Sequence, residues 1–189
     1  MGELLVLASA SPRRAELLAA AGYTFTVEPA DVDETGHPGE TPEDYVRRVA
    51  TDKARAVAAR RRQADAVVLA ADTTVVVDGE ILGKPADASD AARMLAALAG
   101  REHHVFTGVT ALSGGREVSE VVATRVRVLP LEPRDIEWYV ATGEPMGKAG
   151  GYAIQGRASR FIDWIEGSWS NVVGLPLATV EQMIKRLKR

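Results

Sequence analysis

Arg13 and Arg14 stand directly after Ser11-Pro12, a pair suited to a helix start, with serine as the cap and proline at the first helical position. Both cations then fall in the opening turn. The helix dipole leaves about half a positive charge there, and it favours acidic side chains by roughly 0.3 to 1 kcal/mol. An oxyanion held by free backbone amides and both guanidiniums would compensate. The alternative is a generic surface helix, with Arg13 paired to Glu16 at i+3 and Arg14 in water. The chain contains neither G-x-x-x-x-G-K followed by Ser or Thr nor G-x-G-x-x-G, so phosphate recognition would have to rest on side chains.

Asp72 follows the apolar run Ala66-Val67-Val68-Leu69-Ala70, which places it at the carboxyl end of a strand, the edge where open α/β sheets bind ligands. A carboxylate there can hold a divalent cation or take a proton from an attacking water. It fits equally well as a turn residue beside Thr73. Lys53 falls within the apolar stripe Val46, Val49, Ala50, Val57 of a helix, so its ammonium either snorkels to solvent or faces a cleft, where a phosphate or Glu34 is the natural counter-charge. Glu34, in Asp31-Val32-Asp33-Glu34, could complete a carboxylate metal site with Asp72 or belong to a solvated acidic loop. Lys84, between Gly83 and Pro85, reads by itself as a surface lysine. His37, His103 and His104 lack the H-E-x-x-H spacing of a zinc site and read as surface or strand residues.

The elements that must position these residues alternate between helix and strand. Leu4–Ala8 is a strand and Arg13–Ala21 a helix ended by Gly22. Tyr23, Phe25 and Val27 keep the period of a half-buried strand. An acidic loop from Pro29 leads to a helix capped at Thr41, with proline next and acids in its first turn, running from Pro42 to the arginines near Arg62. After the Ala66–Ala70 strand, Val75–Val77 and Ile81–Leu82 form a hairpin about Asp78-Gly79. Asp87 or Ser89 caps a helix with Ala91, Met94, Leu95 and Leu98 on one face, closed by Gly100. Strands over His104–Leu112 and Val118–Val128 turn at Gly114-Gly115. A short helix around Ile136, Tyr139 and Val140, a Phe161–Ile165 strand, and an amphipathic helix through Leu177, Val180, Ile184 and Leu187 complete the chain. The expected fold class is α/β on a mixed central sheet flanked by helices.

The 189 residues, 46% of them hydrophobic, suffice for one sizeable domain, 1–189, or two lobes sharing a sheet. With 23 basic and 26 acidic residues interspersed, the formal charge is −3, so no broad basic face offers itself to nucleic acid. The absence of cysteine excludes disulfides, thiolate nucleophiles and cysteine zinc sites. No run approaches the ~20 apolar residues of a membrane span and no basic leader precedes the first strand, so the expectation is a soluble, cytoplasmic protein without membrane partners.

Taken together, Ser9-Ala10-Ser11-Pro12-Arg13-Arg14, Asp33-Glu34-Thr35, Lys53-Ala54, Ala71-Asp72-Thr73 and Gly83-Lys84-Pro85 resemble the Maf family. Phe106-Thr107-Gly108, Lys148-Ala149-Gly150, Tyr152-Ala153-Ile154-Gln155-Gly156, Gly167-Ser168 and Val173-Gly174-Leu175-Pro176-Leu177 extend the resemblance, in order, over nearly the whole chain. It implies a Maf-like fold, similar to that of inosine triphosphate pyrophosphatases, with two lobes around a cleft, and a homodimer. It implies a nucleoside triphosphate pyrophosphatase, a hydrolase of acid anhydrides, also named septum formation inhibitor. Within the family's pattern Asp72 is the catalytic acid or proton acceptor; Ser11, Arg13, Arg14, Lys53 and Lys84 meet the phosphates; Asp72 and Glu34 handle a divalent cation, Mg²⁺ or Mn²⁺. Thr73 and Gln155, with Arg13, are similar to the branch acting on dTTP and UTP. A glutamine amide, donor and acceptor in one, matches the O4 and N3 edge of uracil or thymine. The alternatives are housecleaning of 7-methyl-GTP or other modified nucleotides, and a nucleotide-binding regulator of septum formation. Ala70 departs from the family, which often has Gly there.

Overall fold

The computed structural model describes residues 4–61 and 66–188. Among these residues seven strands, β1 (Leu5–Leu7), β2 (Phe25–Val27), β3 (Val67–Val77), β4 (Glu80–Leu82), β5 (Glu102–Ser113), β6 (Arg116–Val128) and β7 (Ile162–Glu166), form one sheet in the order β2-β1-β3-β5-β6-β7, with β4 added on β3. Among the described residues six α-helices accompany them: α1 (Pro12–Ala20), α2 (Pro42–Arg60), α3 (Ala88–Leu98), α4 (Pro133–Ala141), α5 (Trp169–Val173) and α6 (Leu177–Leu187). β1 pairs in parallel with both β2 and β3, whereas β3–β4 and β6–β7 are antiparallel, so the sheet is mixed as expected. No helix among the described residues is long and apolar enough to cross a membrane.

The chain divides into two compact units, the first comprising Met1–Asp72, Thr107–Val122 and Gly174–Arg189, the second Thr73–Phe106 and Ala123–Val173. In the first, α2 starts as its sequence dictates. Thr41 accepts a capping bond from the Asp44 amide at 3.2 Å, and Pro42 follows. The helix is described to Arg60; the expected end near Arg62 lies outside the described residues. Its Ala54 and Val57 pack with Val6 and Ala8 of the β1 segment and with Ala66, Val68 and Ala70 of the β3 segment. These side chains are small, so helix and sheet approach closely. Gly108 of β5 carries this to its limit, since a Cβ there would lie 2.2 Å from the carbonyl oxygen of Val46 in α2.

In the second unit the β3–β4 hairpin turns through Asp78 at φ 50° and Gly79 at φ 81°, the pair of positive angles that a two-residue hairpin loop requires. Asp87, rather than Ser89, caps α3, accepting from the Asp90 amide at 2.8 Å. The glycine-rich stretch before β7 contains two short 3-10 turns, 149–151 and 157–161, and α5 follows β7; none of the three has a periodic signal long enough to announce it.

One expectation needs correcting. Asp72 does not end a strand: β3 continues through it to Val77, so the residue is neither at the strand's carboxyl edge nor in a turn with Thr73. An interior carboxylate interrupts the apolar run and mimics a terminus in sequence. In the fold its charge is met from another element.

Candidate active site

Alternation along β3 puts Val68, Ala70 and Asp72 on one face of the sheet, the face that α2 covers. Lys53, next to Ala54 on the inward side of α2, meets the last residue of that row. Its Nζ lies 2.7 Å from Asp72 Oδ1 and 2.7 Å from Glu34 Oε1. Lys53 and Asp72 are buried, at 8% and 7% exposure. Of the two fates open to Lys53, the structure selects the inward one. Desolvation makes an isolated buried charge costly, so each partner is what permits the other. Burial nevertheless dominates at Asp72 and holds its carboxyl above the usual aspartate range, although Lys53 and Arg14 pull the other way.

Glu34 reaches Lys53 from the acidic loop, and α2 holds that loop by its backbone. The Tyr45 hydroxyl donates to the Glu34 carbonyl at 3.0 Å, and Arg48 donates to the Thr35 carbonyl at 3.0 Å while forking onto Glu40 at 2.6 and 2.9 Å. The Tyr45 phenol is pushed up to about 12, by burial first and then by the negative charges of Asp72 and Glu34, so it remains a neutral donor.

Arg14 is buried rather than pointing into water, which removes the generic-surface reading of this helix start. Its Nε donates to the Gly174 carbonyl at 2.8 Å and its Nη1 to Ser9 Oγ at 3.1 Å. Burial lowers its pKa, while Asp72 and Glu34 offset part of that. Arg13 is half-buried, its pKa also lowered by burial and partly restored by Glu16. Ser11 occupies the N-cap position, but its side chain makes no capping bond; its amide donates to Ser9 Oγ at 3.2 Å instead. The start of α1 thus keeps the two cations and lacks its side-chain cap, the features that favour an incoming anion.

In the first unit Lys53, Asp72 and Glu34 are in contact and Arg14 feels the charge of both carboxylates; Ser11 and Arg13 belong to the same unit, at the start of α1. Thr73, Lys84 and Gln155 belong to the second unit. Thr73 is half-buried beside Asp72 on β3, Lys84 is exposed between Gly83 and the buried Pro85, and Gln155 is exposed on the turn before the second 3-10 segment. Ser9 and Tyr45 were not singled out in the sequence. Neither has a charge to look misplaced; Ser9 could have been found only as the hydroxyl five residues before a buried arginine.

For a divalent cation the chain offers Asp72 and Glu34, hard oxygen donors already converging on one cationic point. Among the described residues no group of three or more His, Cys, Asp or Glu side chains could hold an ion. A pair of carboxylates, with phosphate oxygens and water completing the shell, is the arrangement Mg²⁺ commonly adopts, so the residues fit.

An α/β fold that buries a carboxylate–lysine pair and carries two arginines at a helix start has the features of a protein that takes an anionic ligand. The sequence profile described as Maf-like protein matches residues 4–187, and the chain belongs to the Maf family. It is 56% identical over 187 residues to a dTTP/UTP pyrophosphatase of Anaeromyxobacter sp. (strain Fw109-5), covering 96% of this chain and 88% of that protein. It is 54% identical over 183 residues to a dTTP/UTP pyrophosphatase of Myxococcus xanthus (strain DK1622), covering 97% and 92%. Among solved structures, the Staphylococcus aureus Ham1 protein aligns with TM-score 0.48 and 18% identity over 67% of this chain and 72% of that one.

Proposed function

We propose that the chain is a nucleoside triphosphate pyrophosphatase that hydrolyses dTTP and UTP to the monophosphate and pyrophosphate. The observation that carries the reading is the buried Asp72, held by Lys53 against Glu34 beside Arg14; the names of its relatives at 54% and 56% identity support the substrate. In the reaction a water oxygen bonds to the α-phosphorus, the bond from that phosphorus to the bridging oxygen breaks, and pyrophosphate leaves. Asp72 accepts the water's proton, a task for which a carboxyl raised by burial is better matched than an ordinary aspartate. Ser11, Arg13, Arg14, Lys53 and Lys84 bind the phosphates and neutralise their charge, which is most of what phosphoryl transfer demands of a protein. Asp72 and Glu34 would hold a Mg²⁺ or Mn²⁺ ion, which when bound supplies Lewis-acid stabilisation of the phosphate oxygens. Arg13, Thr73 and Gln155 read the base.

The test is pyrophosphate release from a panel of canonical and modified triphosphates, with Mg²⁺, Mn²⁺ or neither. dTTP and UTP should lead, and Asp72→Asn, which keeps the size but not the basicity, should lose at least ~100-fold in kcat, the lower range of general-base contributions. Full activity in that variant would remove Asp72 as the base. Preference for 7-methyl-GTP would move the chain to another substrate.

A further inference from the structure

Gln155 is exposed on a turn, and an exposed glutamine discriminates between bases only if its backbone is fixed to within about half an ångström. Backbone bonds close the turn, Gly156 N–H to the Ala153 carbonyl at 3.0 Å, and tie its end to the next segment, Ser159 N–H to the Gly156 carbonyl at 3.1 Å. Side-chain bonds are added by a carboxylate, that of Glu144. On the far side of Gln155 its Oε2 accepts from the Arg157 amide at 3.1 Å and its Oε1 from the Ala158 amide at 3.4 Å. On the near side it acts through Tyr139, whose hydroxyl donates to Glu144 Oε1 at 2.8 Å and accepts from the Ala153 amide at 3.1 Å. Bonds from both flanks of the turn therefore converge on Glu144.

Three further observations make this a built arrangement. Gly156 has φ −104°, an angle open to any residue, yet a Cβ on it would lie 2.4 Å from Glu144 Oε1, so the carboxylate fills the space the missing side chain leaves. Tyr139 is fully buried and packs edge-on against Phe161, which ends the 3-10 turn that begins at Arg157. Glu144 is itself anchored: its amide donates to Thr142 Oγ1 at 3.1 Å, and the Lys148 ammonium donates to its carbonyl. Burial raises the Glu144 carboxyl, but the bonds from Arg157, Tyr139 and Ala158 outweigh it and hold the group below the usual range. It is an ionised, acceptor-only group at neutral pH.

We propose that Glu144 is a positioning residue for base recognition, holding the Ile154–Gly156 turn from both sides so that Gln155 presents its amide to the pyrimidine edge. This rests on the reading of Gln155 as a base contact. Glu144→Gln keeps the size but turns an N–H toward a backbone N–H, so it opens the ring at one bond.

The experiment compares kcat/KM for dTTP and dCTP by pyrophosphate release in wild type, Glu144→Gln, Gln155→Ala and the double variant, with thermal unfolding of each. The expected result is a fall of about 10-fold in the dTTP/dCTP ratio for Glu144→Gln, the equivalent of one modest hydrogen bond, expressed in KM for dTTP more than in kcat. The same substitution should change the ratio less than twofold once Gln155 is alanine. If Gln155→Ala collapses the ratio while Glu144→Gln, folded normally, keeps it, the positioning role is overturned and the base contact stands. If Gln155→Ala leaves the ratio intact, the base contact falls and the proposal with it. Equal effects of Glu144→Gln with and without Gln155, or a loss confined to kcat, also overturn the proposal. Tyr139→Phe breaks the same ring without touching the carboxylate and takes the place of Glu144→Gln should that variant fail to fold.

Discussion

Lys53 meets two carboxylates, Asp72 and Glu34, and two of the three charged groups are buried, so neither buried charge can lose its partner cheaply. If Asp72 is the base, activity requires it ionised, so the rate falls as pH drops through its raised pKa. Lys53 is the largest influence lowering that pKa, and Lys53→Met should raise it further. The acid limb of the pH–rate profile should then move to higher pH in the variant; an unmoved limb would assign it to another group. Arg14 permits a second prediction, since its fork serves the Gly174 carbonyl and Ser9 Oγ together. Lysine has a point charge and cannot reproduce the fork, so Arg14→Lys should cost about 2 kcal/mol in urea unfolding, the scale of one charged hydrogen bond. Arg14 and Lys53 were legible in the sequence because each looked wrong where it stood, one at a helix start and one in an apolar stripe. Ser9 and Tyr45 violate no local rule, and only the fold reveals what they touch.

At the scale of elements, α2 positions the site and its own start was readable from Thr41, Pro42 and the acids after them. β3 runs further than its apolar run signals. Asp72 broke its hydrophobic run, and the compensating charge lies 19 residues away on α2, beyond the reach of any window of local pattern. Two substitutions separate the stability of α2 from its placement. Thr41→Ala removes the cap and should cost about 1 kcal/mol while leaving kcat essentially unchanged, because the inward face stays put. Gly108→Ala puts a methyl group against the α2 backbone, 2.2 Å from the Val46 carbonyl oxygen and 2.4 Å from its carbon. Backbone cannot swing aside as a flexible side chain can, so overpacking of about 1 to 3 kcal/mol or more is expected. Lys53 moves with the helix, and a displacement near 1 Å lowers kcat on the order of 100-fold. Chemical denaturation and kcat measured on both variants check the pair. A Gly108→Ala protein with full kcat would mean that the α2–β5 contact does not set the site.

Across the molecule, the fold class and most helices followed from periodicity and caps, whereas the sheet order did not, because β1–β3 and β3–β5 are neighbours in space only. The second unit carries less local signal: its 3-10 turns are too short for a period, and buried polar groups within it are met by tertiary pairs. His103 is an instance, read from sequence as a surface or strand residue. It lies on β5 but is 1% exposed, its Nε2 is 2.7 Å from the Tyr152 hydroxyl, and its Nδ1 has no hydrogen-bond partner among the described residues. Burial drives its pKa down to about 4 from 6.5. In the unfolded chain the same imidazole takes a proton near pH 6.5, so between these values the unfolded state binds more protons and stability rises with pH. The stabilisation is complete above about pH 6.5 and is lost as pH falls toward 4, a difference on the order of 3 kcal/mol. Urea unfolding at pH 7.5 and 4.5 tests this when wild type is set against His103→Gln, which cannot titrate. The variant should be less stable at pH 7.5, having lost the Tyr152 contact, yet its decline between the two pH values should be smaller by about 2 to 3 kcal/mol. Equal declines would place the acid sensitivity elsewhere, with the carboxylates rather than with this histidine.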